Sequence, residues 1–120
     1  MKIAVTSRGR TLESPVDPRF GRAEFFILVD ADSGAFDVYD NAQNLSAAQG
    51  AGIQAAQTVS RLAAEVVITG HCGPKAFRTL GAAGIQVVVG ASGSVAEAVQ
   101  SFKTGKLTPT ESPDVEGHWA

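Results

Sequence analysis

With 120 residues, 44% of them hydrophobic and 18% charged, the chain can bury one self-supporting core and is too apolar for a disordered segment. A net charge of -2 argues against a phosphate backbone as partner, since nucleic-acid binders usually carry a basic face. No apolar run approaches the roughly 20 residues of a spanning helix, Met1–Arg8 is too short for a signal peptide, and the single Cys72 suits a reducing compartment, so a soluble, cytoplasmic protein without membrane contact is expected.

Lys2 to Thr6 reads as a buried first strand that runs into Ser7-Arg8-Gly9-Arg10. The following loop, Arg8 to Arg22, holds Gly9, Pro15, Pro18 and Gly21 and is long for a compact domain, a length usually reserved for function or disorder. Glu24 to Asp30 and Ala35 to Asp40 flank an Asp32-Ser33-Gly34 turn, the signature of a hairpin, and the second run has the mixed faces of an edge strand. After a polar loop from Asn41 to Gln49, with Ser46 or a neighbour as cap, Ile53, Ala56, Val59, Leu62 and Ala63 recur at helical spacing. Glu65 to Gly70 is an apolar strand of the kind buried on both faces. Gly73-Pro74 opens a helix that Gly81 or Gly84 stops, Ile85 to Val89 is another buried strand, and Ser94 with Glu97 forms a capping box for a last helix, Val95 to Lys103.

The order β-β-β-α-β-α-β-α predicts an α/β fold: three layers in a ribonuclease-H-like arrangement, with a mixed five-stranded sheet in the order 3-2-1-4-5, strand 2 antiparallel, and helices on both faces. A single domain over residues 1–107 is expected, with a flexible tail over 108–120 that includes His118 and Trp119.

Ligands of open α/β sheets bind beyond the carboxyl ends of the parallel strands. That edge collects the loop after the first strand, the loop headed by Asn41, and Gly70-His71-Cys72-Gly73-Pro74-Lys75. The last segment sets imidazole and thiol at the amide-rich start of a helix, where an anion is favoured and a thiolate is stabilised; the alternative is a plain strand-to-helix turn. Arg8, Arg10, Arg19 and Arg22 are four of the 10 basic residues and face only Glu13 and Asp17, although solvated loop arginines would look the same.

Several sharper patterns fail. Gly50-Ala51-Gly52-Ile53-Gln54-Ala55 matches a dinucleotide fingerprint but follows no strand, and reads as close helix packing. One cysteine and two histidines make no structural zinc site, and the first strand lacks the carboxylate that a two-metal nuclease needs.

Met1-Lys2-Ile3-Ala4-Val5, Val16-Asp17-Pro18-Arg19-Phe20-Gly21-Arg22-Ala23 with Phe26, and Gly70-x-x-Gly73-Pro74-Lys75-Ala76-Phe77 together resemble the dinitrogenase iron–molybdenum cofactor biosynthesis family. Leu80-Gly81-Ala82-Ala83-Gly84-Ile85 and the ending around Phe102 and Gly105-Lys106-Leu107 extend the likeness over nearly the whole chain. The family includes nitrogenase cofactor carriers and the orange proteins of sulfate-reducing bacteria. The resemblance implies a carrier, not an enzyme, for a preassembled metal–sulfur cluster: a molybdenum–copper sulfide, or alternatively an iron–molybdenum cofactor precursor, exchanged with donor or acceptor proteins. A single cysteine cannot supply the four thiolates of an ordinary iron–sulfur cluster, whereas a sulfide cluster brings its own ligands. The expected cradle comprises Arg19, Phe20, Gly21, Arg22, Asn41, His71, Cys72, Gly73 and Lys75, with Phe20 shielding the cluster and Cys72 bonding a thiophilic metal. Many relatives have an aliphatic residue in place of Cys72. The competing expectations are a metal-free regulatory module for a small anion or protein, and a thiol enzyme using Cys72 with His71, whose neighbouring side chains point different ways.

Overall fold

The computed structural model describes residues 1–43 and 50–113. Its elements follow in the order β1 (Lys2–Ser7), β2 (Phe25–Asp30), β3 (Phe36–Asp40), α1 (Ala51–Arg61), β4 (Val66–Ile68), α2 (Pro74–Ala82), β5 (Gln86–Val88) and α3 (Val95–Lys103). β4 and β5 are shorter than the apolar runs that announce them. The run beyond β4 still pairs with the run beyond β5, because Thr69 N–H donates to Val88 O at 2.9 Å and Gly90 N–H to Gly70 O at 2.9 Å.

The sheet order is β3-β2-β1-β4-β5. β2 runs antiparallel to both β1 and β3, while β1, β4 and β5 are parallel. Alternation along each strand then divides the core in two. Ala4, Phe26, Leu28, Val67 and Val87 face Ala55, Ala56 and Val59 of α1 and Ala76 and Leu80 of α2. Ile3, Val5, Ile27, Val29, Val66, Ile68 and Val88 face Val95, Ala98 and Val99 of α3. The expected mixed sheet with helices on both faces is therefore present, and β3 is its exposed edge, with Phe36 39% accessible.

The helix ends show which local signals acted. α3 has the expected capping box: Glu97 N–H donates to Ser94 Oγ at 3.1 Å, and Ser94 N–H to Glu97 Oε1 at 2.9 Å. Pro74 is the first residue of α2, and Gly84, at φ +76°, follows its last turn, while Gly81 lies inside the helix. α1 starts behind Gly50 with no side-chain cap; Ser46, expected near that cap, lies outside the described residues. Gly52 and Ala55 of the dinucleotide-like pattern are buried on α1, as close packing requires.

Past the expected end of the domain the chain still packs. Thr110 N–H donates to Val87 O at 2.7 Å. Pro109, Thr110 and Glu111 border a cavity of about 250 Å³ with Phe77, Ile85 and Val87. His118 and Trp119 lie outside the described residues. Among the described residues no helix is long and apolar enough to cross a membrane.

Candidate cationic site

The loop after β1 is held along its length over the carboxyl ends of the parallel strands. Arg8 N–H donates to Pro15 O at 3.0 Å and Val16 N–H to Gly93 O at 2.9 Å, and Pro15 and Ser94 form an antiparallel bridge. Deeper in, β1 ends in Thr6 and β4 is followed by Thr69, both fully buried, with hydroxyls 2.9 Å apart. Thr6 Oγ1 donates to Asp17 O at 2.7 Å, and Asp17 N–H donates back to Thr6 O at 3.0 Å. Buried hydroxyls need such partners, and here the partner is the loop itself. Asp17, only 4% exposed, turns its carboxylate to accept Arg19 N–H at 3.0 Å, and the Arg19 Nε stands 3.9 Å from the same oxygen.

The segment then pairs with the strand-to-helix turn. His71 N–H donates to Pro18 O at 2.7 Å, and Phe20 N–H donates to His71 O at 3.2 Å, making a parallel bridge between Arg19 and His71. Residues in register across parallel backbone place their side chains on the same side. Two cation-forming side chains 52 positions apart in the chain thereby become neighbours, a consequence of the bridge between residues 19 and 71. Gly70 permits the approach, because a Cβ there would sit 2.7 Å from Pro18 Cα and 2.8 Å from Pro18 O.

The same alternation sends the next residue of each segment inward. Phe20 and Cys72 have no exposed surface and belong to the core under α1 and α2, the Phe20 ring 5.9 Å from that of Phe26. Cys72 Sγ lies 3.8 Å from Gly73 O. Neither side chain presents itself at the surface, where Phe20 was expected to shield a ligand and Cys72 to bond a metal.

Gly21 and Ala23 are buried while Arg22 between them is exposed. Lys75 is exposed on the first turn of α2, behind Gly73, which supplies no side-chain cap. Among the described residues neither Arg22 nor Lys75 enters an ion pair. Arg10 is diverted: its guanidinium carbon stacks 4.6 Å from the Phe25 ring centre and it pairs with Asp40 at 3.4 Å. Asn41 points inward, toward backbone carbonyls. The structure thus sets Arg19 in register with His71, leaves Arg22 and Lys75 exposed on the same two segments, and buries Phe20, Gly21, Cys72 and Gly73.

Sequence reasoning missed Asp17, Thr6 and Thr69 as supports. An Asp-Pro step was the available signal for Asp17, since it favours turn initiation. Chemically, the edge offers cations and the uncapped start of a helix, a setting for an anion. Among the described residues no three His, Cys, Asp or Glu side chains are grouped to hold a bare metal ion.

A family model described as dinitrogenase iron–molybdenum cofactor matches residues 1–105. The chain belongs to this family. Solved structures to which it is similar include the orange protein of Desulfovibrio gigas in its apo form, at 43% identity and a TM-score of 0.90 over 95% of this chain and 96% of that one. A Thermotoga structure described as a putative NifB protein of the DUF35 family is 34% identical, with a TM-score of 0.76 over 95% and 98% of the two chains. An uncharacterised protein of Methanocaldococcus jannaschii is 28% identical over 92% of each chain. Membership in this family and these neighbours connect the chain to a metal-cofactor or cluster-related function.

Proposed function

We propose that the chain binds and carries a preassembled molybdenum-containing sulfide cluster, of the molybdenum–copper type, as cargo and without catalysing a reaction. The observation that carries this reading is the Arg19–His71 juxtaposition, flanked by Arg22 and Lys75, in a place where, among the described residues, neither of these two enters an ion pair and no ligand set for a bare ion is grouped. A thiometallate cluster is a large, soft anion that already owns its sulfur ligands. Guanidinium groups are weakly hydrated and suit such an anion, and the amides behind Gly73 add directed donors. The ribonuclease-H-like arrangement serves this role by raising three loops at one sheet edge. A cytoplasmic carrier of this kind exchanges its cargo with donor and acceptor proteins, and neither a nucleic acid nor a membrane is among its partners.

Of the two cargoes that the family resemblance implies, the molybdenum–copper sulfide is the one it ties to orange proteins, and an orange protein is 43% identical to this chain. The buried Cys72 thiol is offered no route to a cluster unless the turn opens, so binding rests on charge and hydrogen bonds.

The test is titration of the apo protein with tetrathiomolybdate, with and without copper, followed by visible absorption and metal analysis after desalting. A stoichiometric coloured species is expected to stay with the protein. Arg22→Ala and His71→Ala are each expected to weaken retention about tenfold, the size of a lost charged hydrogen bond. A wild-type protein that emerges colourless and metal-free would overturn the molybdenum–copper assignment and favour the metal-free module. Retention unchanged by both substitutions would move the cradle elsewhere.

A further inference from the structure

We infer that Asn41 is a positioning residue for Arg22, acting through the backbone on either side of it. The inference rests on the cationic-cradle reading but assigns a role that reading does not contain. Asn41 Nδ2 donates to Ala23 O at 2.9 Å and to Gly21 O at 3.2 Å, so its two amide hydrogens bracket the one exposed residue between those carbonyls. The Asn41 backbone N–H also donates to Glu24 O at 3.0 Å, extending the β2–β3 pairing by one step. A third tie comes from Gln43, whose Nε2 donates to Gly21 O at 2.7 Å and to Ala51 O at 3.0 Å. The turn that displays Arg22 is thereby fastened to the end of β3 and to the first residue of α1.

The chemistry of the acceptors fixes the orientation of the Asn41 amide. Two carbonyl oxygens can be met only by the NH2 end. The opposite end, Oδ1, is consequently buried with no hydrogen-bond partner, and it is the one such side-chain atom recorded among the described residues. An unpaired buried acceptor is a cost that most proteins avoid. An apolar residue of the same size would remove that cost but would release both carbonyls. Retaining the amide at this position favours a held backbone over local stability, which is the pattern of a group that orients a functional neighbour.

Asn41 itself then has nothing left to offer a ligand. Its donors are used, its acceptor is enclosed, and an acceptor would in any case repel an anion. Arg22 has the opposite character: outward, without an ion pair among the described residues, and dependent on its backbone for direction. A long side chain on a loose turn pays more conformational entropy on binding than one on a fixed turn.

The experiment is a double-mutant cycle read by tetrathiomolybdate affinity in the presence of copper. Asn41→Leu keeps the branched shape and adds no charge, and it is expected to weaken the wild-type protein about fivefold to tenfold. In the Arg22→Ala background the same change is expected to alter affinity by less than about twofold, because the group it positions is gone. Asn41→Ser, whose hydroxyl can hold one carbonyl, is expected to fall between the two and serves if the leucine variant does not fold. Equal losses in both backgrounds, or no loss in the wild-type background while Arg22→Ala does lose affinity, would overturn the inference. Full affinity in Arg22→Ala alone would instead strike at the cradle reading, so the two failures are told apart.

Discussion

Gly70 and Gly81 are both near the cationic edge in sequence, yet their surroundings predict opposite responses to a methyl group. At Gly70 a Cβ would meet Pro18 backbone at 2.7 Å, and backbone cannot swing aside as a flexible side chain can. Gly70→Ala is expected to break the His71–Pro18 hydrogen bond, cost about 1–3 kcal/mol in urea unfolding, and lower anion affinity with it. At Gly81, inside α2 and with nothing within 4 Å of the added atom, alanine is expected to stabilise the protein by about 0.5–1 kcal/mol through helix propensity alone. Equal effects at the two positions would refute the contact assigned to Gly70. The residue scale is also where sequence reasoning was least complete. The types that make up the candidate site, Arg19, Arg22, His71 and Lys75, were legible because a cationic edge in an acidic chain stands out. The inward turn of Phe20 and Cys72 was not, because it depends on a bridge between residues 19 and 71 that no local pattern announces.

Among the elements, α3 was the most legible, since both halves of its capping box are written in the sequence three residues apart. The Ser94 N–H, and after it the Ser94 hydroxyl, hold the Glu97 carboxyl below its ordinary value of 4.5. A carboxyl with a lowered folded-state pKa stabilises the fold above its unfolded value, and that support fades as pH falls through the folded one. Glu97→Gln is therefore expected to lose less stability than the wild type on acidification below about 4.5, measured as the urea midpoint at successive pH values. Parallel acid limbs would show that the box contributes nothing to proton linkage. Ser94→Ala should cost about 1 kcal/mol at neutral pH. α1 was harder to bound because its cap position is Gly50, which carries no side-chain signal. The short β4 and β5 were overextended for a related reason: burial continues through Thr69 and Gly70 after regular strand geometry has stopped.

At the scale of the molecule, a chain of net charge -2 displays Arg22 and Lys75, without an ion pair among the described residues, beside the Arg19–His71 bridge, while acidic residues such as Asp30 and Asp32 stand at the opposite end of β2, beside the amino terminus. The Met1 amino group, hydrogen-bonded to Asp32, is held above its usual pKa and ties that far end together. An anion held by such a separation of charge should feel ionic strength. The screening length shrinks from about 10 Å at 0.1 M salt to about 3 Å at 1 M, so tetrathiomolybdate affinity is expected to drop roughly tenfold over that range. A flat salt response would mean that contact and shape, rather than charge, retain the cargo. Sheet order and the two-faced core were legible at this scale, since an initial meander followed by strand–helix alternation leaves few arrangements open.

The bridge between Pro15 and Ser94 has a consequence in time as well as in space. Val95 N–H donates to Ser14 O at 3.0 Å and Ala96 N–H to Leu12 O at 2.9 Å, so the first loop is fastened by the start of the last helix. During synthesis on the ribosome, Asp17 and Pro18 meet their partners as soon as Thr6 and His71 are made, whereas Leu12 and Ser14 wait for Val95 and Ala96 to clear the exit tunnel. The outer part of the loop is thus fastened only once α3 has begun, so one of the last pieces of the domain to be made closes one of the first.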